Sequence, residues 1–420
     1  MASANITPSL KVKNWVTGNP YTEIHDSIYV RALVIDDGTN RAAIINWELV
    51  DAGESATAEL RKRINDRLGI PADHIMVNAT HNHSAPWSPV YGEGHRGQEK
   101  DTWWAVRYMP PQYEDPDFRD WMNLLMDKSV SAVAQAMDSM QAVTMWLGRA
   151  DISGFVQNRR PIPSTEGIEE SHMPEKFNYR HPDWDPRILG DGMRFGPIDR
   201  TMTVLSFRNQ QGSDVATIFH LAAHAVSIYP FMDGISGDWP GATVRALSEI
   251  LGSKGMFLQG TAGDINPWRR GDLAVTDMAR ELTELIKLAK KYSARVSADT
   301  IHIDHAVVGI PLTEPGKSTT ALEYIDAETQ VISLGPVAIV TLPGEPMTGL
   351  GDYIRENSPF EQTLVLGYSN GKGGYYVGMP GEKRKGGYEI GEKTNLGTDN
   401  AGLLLVQTAV ELLQKVYEKN

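Results

Sequence analysis

The chain of 420 residues contains no cysteine, and its 53 acidic and 40 basic side chains give a formal charge of −13. The acidic balance argues against a nucleic-acid binder, and the absence of cysteine excludes disulfides, thiol nucleophiles and cysteine-bound metals. Because 41% of the residues are hydrophobic, the chain can bury a large core, and intrinsic disorder is not expected.

The first predicted elements form a unit of strand, strand, helix and strand. Alternating and β-branched residues predict strands over 27–35 and 41–47, joined by a turn of Asp, Gly and Asn residues. Helical periodicity follows over about 53–68, and a short strand over 74–79 ends the unit.

The same order recurs twice along the chain. The second unit comprises strands over 201–207 and 214–220, a helix over 241–251 and a strand over 255–259. The third unit comprises strands over 329–334 and 337–342, a helix near 347–356 and a strand over 362–367. Two interpretations stay open, a real structural repetition and a chance likeness. If the last two strands of each unit are parallel, their carboxyl ends share one sheet edge, where α/β proteins favour ligand sites.

Two long insertions separate the units. Residues 87–121 are crowded with tryptophan and tyrosine, and residues 155–197 are polar and punctuated by proline. Loops of this length are functional covers or are disordered, and the aromatic content favours covers. Helices are also predicted over 273–294 and 401–416, and no linker divides the chain. We therefore predict a single mixed α/β domain over 1–420, with twisted β-sheets flanked by helices.

Four histidines follow predicted strands in pairs. In extended backbone, His81 and His83 point the same way and could face one site. His220 and His224 occupy the equivalent place in the second unit, where one could be a ligand while the other packs in the core. Neutral imidazole is the commonest protein metal ligand, but such pairs also occur in ordinary loops.

Carboxylates and tyrosines follow other predicted strands. Glu345 comes directly after a strand, Asp264 lies in a tight-turn sequence, and Asp238 stands just before a helix. Each also has an ordinary explanation, namely the start of the next helix, a turn and a helix cap. Tyr376 and Tyr388 lie in a glycine-rich stretch that would equally suit a loop without function. None of these signals is decisive alone.

In combination and in this order, the motifs resemble those of the neutral (non-lysosomal) ceramidase family, zinc-dependent amidases that cleave an N-acyl sphingoid base. The resemblance covers nearly the whole chain, weakly in the insertions. The segments that carry it are 5–8, 24–25, 30–32, Ala79-Thr80-His81-Asn82-His83-Ser84, Asn158-Arg159-Arg160-Pro161, 199–224, Gly263-Asp264-Ile265-Asn266-Pro267, Pro343-Gly344-Glu345, Tyr376-Val377 and Tyr388-Glu389.

The resemblance implies a zinc ion and assigns roles to individual residues. The implied ligands are His81, His224, Glu345 and Tyr376. Nitrogen and oxygen donors of this kind suit zinc. The implied catalytic positions are His83, which positions substrate, together with Tyr388, Asn266 and Asp264. The predicted substrate-binding residues are Asn158, Arg159, Arg160, Asp238, Trp103 and Trp104.

The chain departs from the family pattern in ways that bear on its chemistry. The family motif Gly-Asp-x-Ser-Pro has serine where this chain has Asn266, which is no nucleophile but can donate a hydrogen bond to an oxyanion. The sequence also lacks the C-terminal immunoglobulin-like domain of the secreted members, so we expect the catalytic domain only. Tryptophan and arginine in the insertions suit a polar or sugar-like substrate better than two lipid chains.

Three hypotheses about function follow. The leading one is a zinc-dependent hydrolase that cleaves an amide bond in a soluble, polar small molecule by means of metal-activated water. The second is cleavage of a glycosidic or ester bond in a carbohydrate, with Glu345, Asp238 and Asp264 as paired carboxylates and with tryptophans stacking on sugar faces. The third is a metal-binding homologue without catalysis. Since neither a signal peptide nor a membrane span is recognised, we expect a cytoplasmic location.

Overall fold

The chain contains both strands and helices, and the computed structural model describes residues 1–91, 115–163, 192–229 and 231–419. Up to residue 163 the elements are β1 (Ala2–Asn5), β2 (Tyr29–Asp36), β3 (Arg41–Trp47), α1 (Glu54–Leu68), β4 (Ile75–Ala79), α2 (Pro116–Asp138), β5 (Val143–Asp151), β6 (Val156–Asn158) and β7 (Ile162–Pro163). They continue as β8 (Met193–Arg194), β9 (Thr201–Asn209), β10 (Asp214–Leu221), α3 (Asp238–Leu251), β11 (Gly255–Gln259), β12 (Ile265–Pro267), α4 (Asp272–Lys291) and β13 (Ala294–Val296). The last are β14 (Ile301–Pro311), α5 (Glu314–Thr320), β15 (Tyr324–Leu334), β16 (Val337–Thr341), β17 (Glu345–Pro346), α6 (Thr348–Asn357), β18 (Gln362–Leu366), β19 (Tyr376–Val377) and α7 (Ala401–Tyr417).

The predicted strand–strand–helix–strand unit occurs three times, which confirms the structural repetition. The copies are β2-β3-α1-β4, β9-β10-α3-β11 and β15-β16-α6-β18. In each copy the first two strands pair antiparallel and the last two pair parallel. The protein is therefore a mixed α/β structure, as predicted.

Each unit supplies three adjacent strands of one main sheet, and its last strand lies at an edge of that sheet. The first sheet has the strand order β1-β2-β3-β4, the second β11-β10-β9-β5-β13 and the third β14-β15-β16-β18. Two-stranded sheets join β12 to β6, β17 to β19 and β7 to β8. None of the helices in the described ranges is long and apolar enough to cross a membrane.

The middle strand of each unit is buried on both faces. Ile44, Ile218 and Ile339, on β3, β10 and β16, belong to one apolar cluster that draws on all three main sheets. The next residue along each strand belongs to a different core, beneath helices. These helices are α1 to α4 for the first and second sheets, and α6 and α7 for the third. Successive side chains of a strand point to opposite faces, so a strand between two cores is a continuous apolar run.

The third strands of the three units meet at their carboxyl ends. The Asn78 Oδ1 atom accepts from the Gln259 backbone N–H at 3.1 Å, and the Asn78 Nδ2 atom donates to the Gly367 carbonyl at 2.9 Å. The Gly367 N–H donates to the Gln259 carbonyl at 3.2 Å, which closes a ring of hydrogen bonds. This ring, which we call the three-strand junction, brings the segments that leave the three sheets to one side of the molecule.

Regular elements also lie within the predicted insertions. Helix α2 begins at Pro116, inside the range 87–121, and the Asp115 side chain caps it by accepting from the backbone N–H groups of Asp117 and Phe118. Strand β6 lies inside the range 155–197 and pairs with β12. An aspartate before a proline is a helix-start signal, so α2 was readable from its first residues.

Candidate metal centre

Loops from all three units bring His81, His224 and Glu345 together. His81 follows β4, His224 follows β10, and Glu345 follows β16. The Glu345 Oε2 atom lies 3.2 Å from His81 Nε2 and 3.4 Å from His224 Nε2. All three side chains are buried. The predicted convergence of these residues is therefore present in the fold.

Backbone carbonyls fix the orientation of both imidazoles. The Nδ1 atom of His81 lies 2.8 Å from the Val50 carbonyl, and that of His224 lies 2.7 Å from the Ala262 carbonyl. A carbonyl oxygen only accepts, so each Nδ1 atom carries a proton and each Nε2 atom faces Glu345. Metal-bound histidines are held by their second nitrogen in this way.

His83 belongs to the same cluster. Its Nε2 atom lies 3.0 Å from His81 Nε2, and the ligand atoms of His81, His83 and His224 lie within 4.8 Å of one another. The pairing does not arise from extended backbone, because His81 has a φ of 59°, in the left-handed region. A non-glycine residue held there is a strained feature of the kind found at functional sites.

These groups together fit a cation. Burial lowers the pKa of His224 to about 3 and that of His83 well below its ordinary value, so both imidazoles are neutral at neutral pH. The buried Glu345 Oε2 atom accepts no hydrogen bond within the described ranges, although two imidazole nitrogens face it. Lone pairs that face one another repel unless a proton or a cation lies between them. The donor set of imidazoles and a carboxylate suits zinc.

Tyr376 is placed beside Glu345 by strand pairing. Strands β17 and β19 run parallel, with Glu345 opposite Tyr376. The Tyr376 hydroxyl accepts from Arg159 Nη2 at 2.8 Å, and Arg159 Nη1 lies 3.5 Å from His224 Nε2. Burial raises the pKa of the Tyr376 phenol well above its ordinary value although the Arg159 guanidinium lowers it, so without a bound metal the phenol keeps its proton.

Arg159 connects several predicted site residues. Its Nη1 atom donates to Asn266 Oδ1 at 3.4 Å, and its Nε atom donates to Glu389 Oε1 at 2.6 Å. The ring of Tyr388, which is half exposed, stands edge-on to the Tyr376 ring with centroids 5.7 Å apart. Asn266 and Tyr388 therefore both lie next to the cluster, and their catalytic roles stay predictions.

Asp264 and Asn158 hold the surrounding backbone. The Asp264 Oδ1 atom accepts from the Thr348 backbone N–H at 2.8 Å and from the Thr348 hydroxyl at 2.9 Å. Its Oδ2 atom accepts from Asn158 Nδ2 at 2.8 Å. Asp264 therefore ties the start of α6 to β6, and its catalytic role stays a prediction.

Asp238 and Arg160 also make contacts with loops. Asp238 accepts from the backbone N–H groups of Ser227 at 3.1 Å and Ile228 at 3.0 Å, and so holds the loop that follows His224. Arg160 donates to Glu382 Oε2 at 2.6 Å, next to the turn that leads to Tyr388. Their substrate-binding roles stay predictions.

Other predicted residues lie elsewhere. His220 is buried in β10 with its Nε2 atom 3.1 Å from the Val365 carbonyl, so it is the core histidine of its pair. Trp103 and Trp104 lie outside the described residues, as does Trp184 of the second insertion.

Three neighbours of the cluster were not predicted. The ring of Tyr368 stacks on His81, with centroids 4.1 Å apart and planes at 25°. Trp15 and Tyr229 approach His83 with centroid distances of 5.3 Å and 5.1 Å. Tyr368 had a usable signal, because it stands two residues after the third strand of its unit, as His81 does after β4.

Known proteins share both sequence features and fold with this chain. A family model described as "Neutral/alkaline non-lysosomal ceramidase, N-terminal" matches residues 18–267. The crystal structure of neutral ceramidase from Pseudomonas aeruginosa is similar, with 16% identity, a TM-score of 0.74, and coverage of 99% of this chain and 74% of that one. A ceramidase structure described as complexed with C2 has the same identity and TM-score, covering 99% of this chain and 75% of that one. At this identity the likeness shows a common fold.

Proposed function

The chain belongs to the neutral/alkaline non-lysosomal ceramidase family, and from that premise we propose that it is a zinc-dependent amidase for a small, polar amide. The convergence of His81, His224 and Glu345 carries the proposal, because both imidazole Nε2 atoms lie within 3.2 to 3.4 Å of the Glu345 carboxylate. A structure described as complexed with C2 supports a small-molecule substrate.

His81, His224, Glu345 and Tyr376 are the residues that would hold the metal. Bound zinc supplies Lewis acidity, which polarises a carbonyl and brings the pKa of water from 15.7 to roughly 7. The Arg159 guanidinium beside the Tyr376 hydroxyl favours the phenolate that a ligand requires. The four residues come from the loops of all three units and from β19.

The neighbouring residues divide the remaining work. His83 is neutral and lies beside the proposed ligand His81, where we assign it to positioning the substrate. Burial raises the pKa of Tyr388, which keeps its phenol protonated as a donor to the substrate carbonyl. The Asn266 oxygen faces Arg159, so its amide N–H groups are the donors that it offers to a developing oxyanion.

Metal analysis of purified variants tests the site. We expect stoichiometric zinc in the wild type, and loss of zinc in His81→Ala and Glu345→Ala. His83→Ala should keep the metal and lose activity, since we assign it to the substrate. His220→Gln is the matched control, because it changes a buried histidine held by a carbonyl outside the cluster. A zinc content equal to that of the wild type in both His81→Ala and Glu345→Ala would contradict the assignment of the ligands.

A substrate screen tests the reaction. Amides, esters and glycosides of polar molecules are offered with and without a chelator, and we expect chelator-sensitive cleavage of amides. Chelator-resistant cleavage of glycosides would favour the carbohydrate alternative, which needs paired carboxylates. In the described ranges, Asp238 and Asp264 instead bind backbone N–H groups. Metal binding without turnover of any compound would favour a non-catalytic homologue.

A further inference from the structure

Tyr368 connects two of the loops that carry the metal cluster. Its backbone carbonyl accepts from the Ala79 N–H at 3.0 Å, two residues before His81. Its own N–H donates to the Gly344 carbonyl at 2.9 Å, one residue before Glu345. The backbone of Tyr368 therefore fixes the spacing between the loops of the first and third units.

The Tyr368 ring is packed against both buried imidazoles. It stacks on His81 at 4.1 Å and meets the His224 ring edge-on at 6.2 Å and 83°. The Tyr368 side chain is 2% exposed. The His81 imidazole can rotate about its Nδ1 hydrogen bond to the Val50 carbonyl, and the Tyr368 ring stacked on its face restricts this rotation.

The backbone conformation of Tyr368 is costly. Its φ is 52°, in the left-handed region, as is the φ of 59° at His81, which it covers. Two contacting non-glycine residues keep this unfavourable backbone conformation only when surrounding contacts hold both of them in place.

We propose that Tyr368 is a positioning residue that holds the His81 imidazole in the plane needed to bind the metal. The proposal rests on the proposed function, since it needs His81 to be a ligand. Outer residues that orient metal-bound histidines change metal affinity by about 10–100-fold when they are replaced. The ring, not the hydroxyl, carries the role, because Tyr368 Oη makes no hydrogen bond within the described part of the chain.

The test measures zinc affinity by chelator competition and the visible spectrum of the cobalt-substituted protein. We expect Tyr368→Leu to weaken zinc binding by about 10–100-fold and to shift the cobalt bands, since the His81 ring is released. Tyr368→Phe, which keeps the ring, should stay within about threefold of the wild type on the same scale. If Tyr368→Leu does not fold, Tyr368→Met takes its place, because methionine fills irregular gaps.

Phe257→Leu is the matched control for lost packing. It removes a buried ring that packs on Phe219 with centroids 5.2 Å apart. It should lower thermal stability without changing zinc affinity or the cobalt spectrum. Wild-type affinity and spectrum in Tyr368→Leu would overturn the positioning role, and so would equal weakening in Phe257→Leu. If the wild type binds no metal, the proposed function fails together with the positioning role. If the wild type binds zinc and Tyr368→Leu binds it equally well, only the positioning role fails.

Discussion

At the scale of single residues, Asn266 is the departure from the family motif that bears most directly on the proposed chemistry. It stands where the family motif has serine, and its side chain is 3% exposed beside Arg159. An amide cannot act as a nucleophile, so any catalytic part that it plays must be hydrogen bonding to the oxyanion.

Replacement of Asn266 tests this role. Asn266→Ala should lower kcat for the best amide by about 10²–10³-fold, which is the cost of losing one oxyanion donor. Zinc content should not change, because the proposed ligands are untouched. The measurement is kcat with metal analysis of the same preparation, and an unchanged kcat would remove Asn266 from the reaction.

His220 predicts how stability depends on pH. Burial lowers its pKa from 6.5 to about 4, so the folded protein keeps the imidazole neutral while the unfolded chain takes up a proton. This contribution to stability is present above pH 6.5 and is lost as the pH falls toward 4, at about 1.4 kcal/mol per pH unit.

Urea unfolding at several pH values checks this dependence. His220→Gln keeps a donor for the Val365 carbonyl and removes the titrating group. Its free energy of unfolding should fall less steeply than that of the wild type below pH 6.5, by about 1.4 kcal/mol per unit. Parallel curves for the two proteins would contradict the expected pKa.

At the scale of elements, the sequence predicted the strands and helices of the three repeated units well and the strands outside these units poorly. Turns and β-branched runs delimit β3 and β11 at the predicted residues. Strand β14 was missed because it is an edge strand whose polar residues, such as Asp304 and His305, interrupt the apolar pattern. Local periodicity carries no information on such pairing.

The grouping of His81, His224 and Glu345 was predictable only through the family resemblance. The positions of His81 and Glu345 after strands were visible, but two interpretations of each stayed open. Contacts between units, such as Tyr368 on His81, involve residues far apart in sequence. These contacts depend on the order of the strands in the sheets, and the spacing of residues along the sequence does not reveal that order.

Asp264 allows a test of an element-level role. If it acts by holding the first turn of α6, Asp264→Asn loses acceptor capacity and lowers the free energy of unfolding by about 1–3 kcal/mol. Thr348→Ala, which removes only the hydroxyl donor, should cost less. Unfolding and kcat are measured together, and a loss of kcat without loss of stability would instead support the predicted catalytic role.

At the scale of the whole molecule, the three-strand junction joins the sheets. Asn78 supplies both an acceptor and a donor to it, and the side chain is fully buried. A single domain over 1–420 stays a prediction, but the junction and the shared apolar cluster connect all three units.

Removal of the Asn78 side chain should destabilise the protein as a unit. Asn78→Ala leaves the buried Gln259 N–H without its side-chain acceptor, at about 1–3 kcal/mol. The Gly367 carbonyl loses the Asn78 donor and keeps the Ser369 hydroxyl. Urea unfolding is the measurement. Ser369→Ala is the control, because it removes a hydroxyl that bonds Asn78 and the Gly367 carbonyl and leaves the three hydrogen bonds of the ring intact. An equal decrease in the free energy of unfolding in the two variants would show that the junction does not contribute more to stability than its surroundings.

The origin of the cluster's donors in different units has a consequence for how the protein matures. His81, His224 and Glu345 each belong to a different unit, separated by more than a hundred residues of chain. A folding intermediate that has completed two units presents at most two of the three donors. The tight metal binding that we propose is therefore expected only after the last unit has folded, and its appearance during refolding would report completion of the native state.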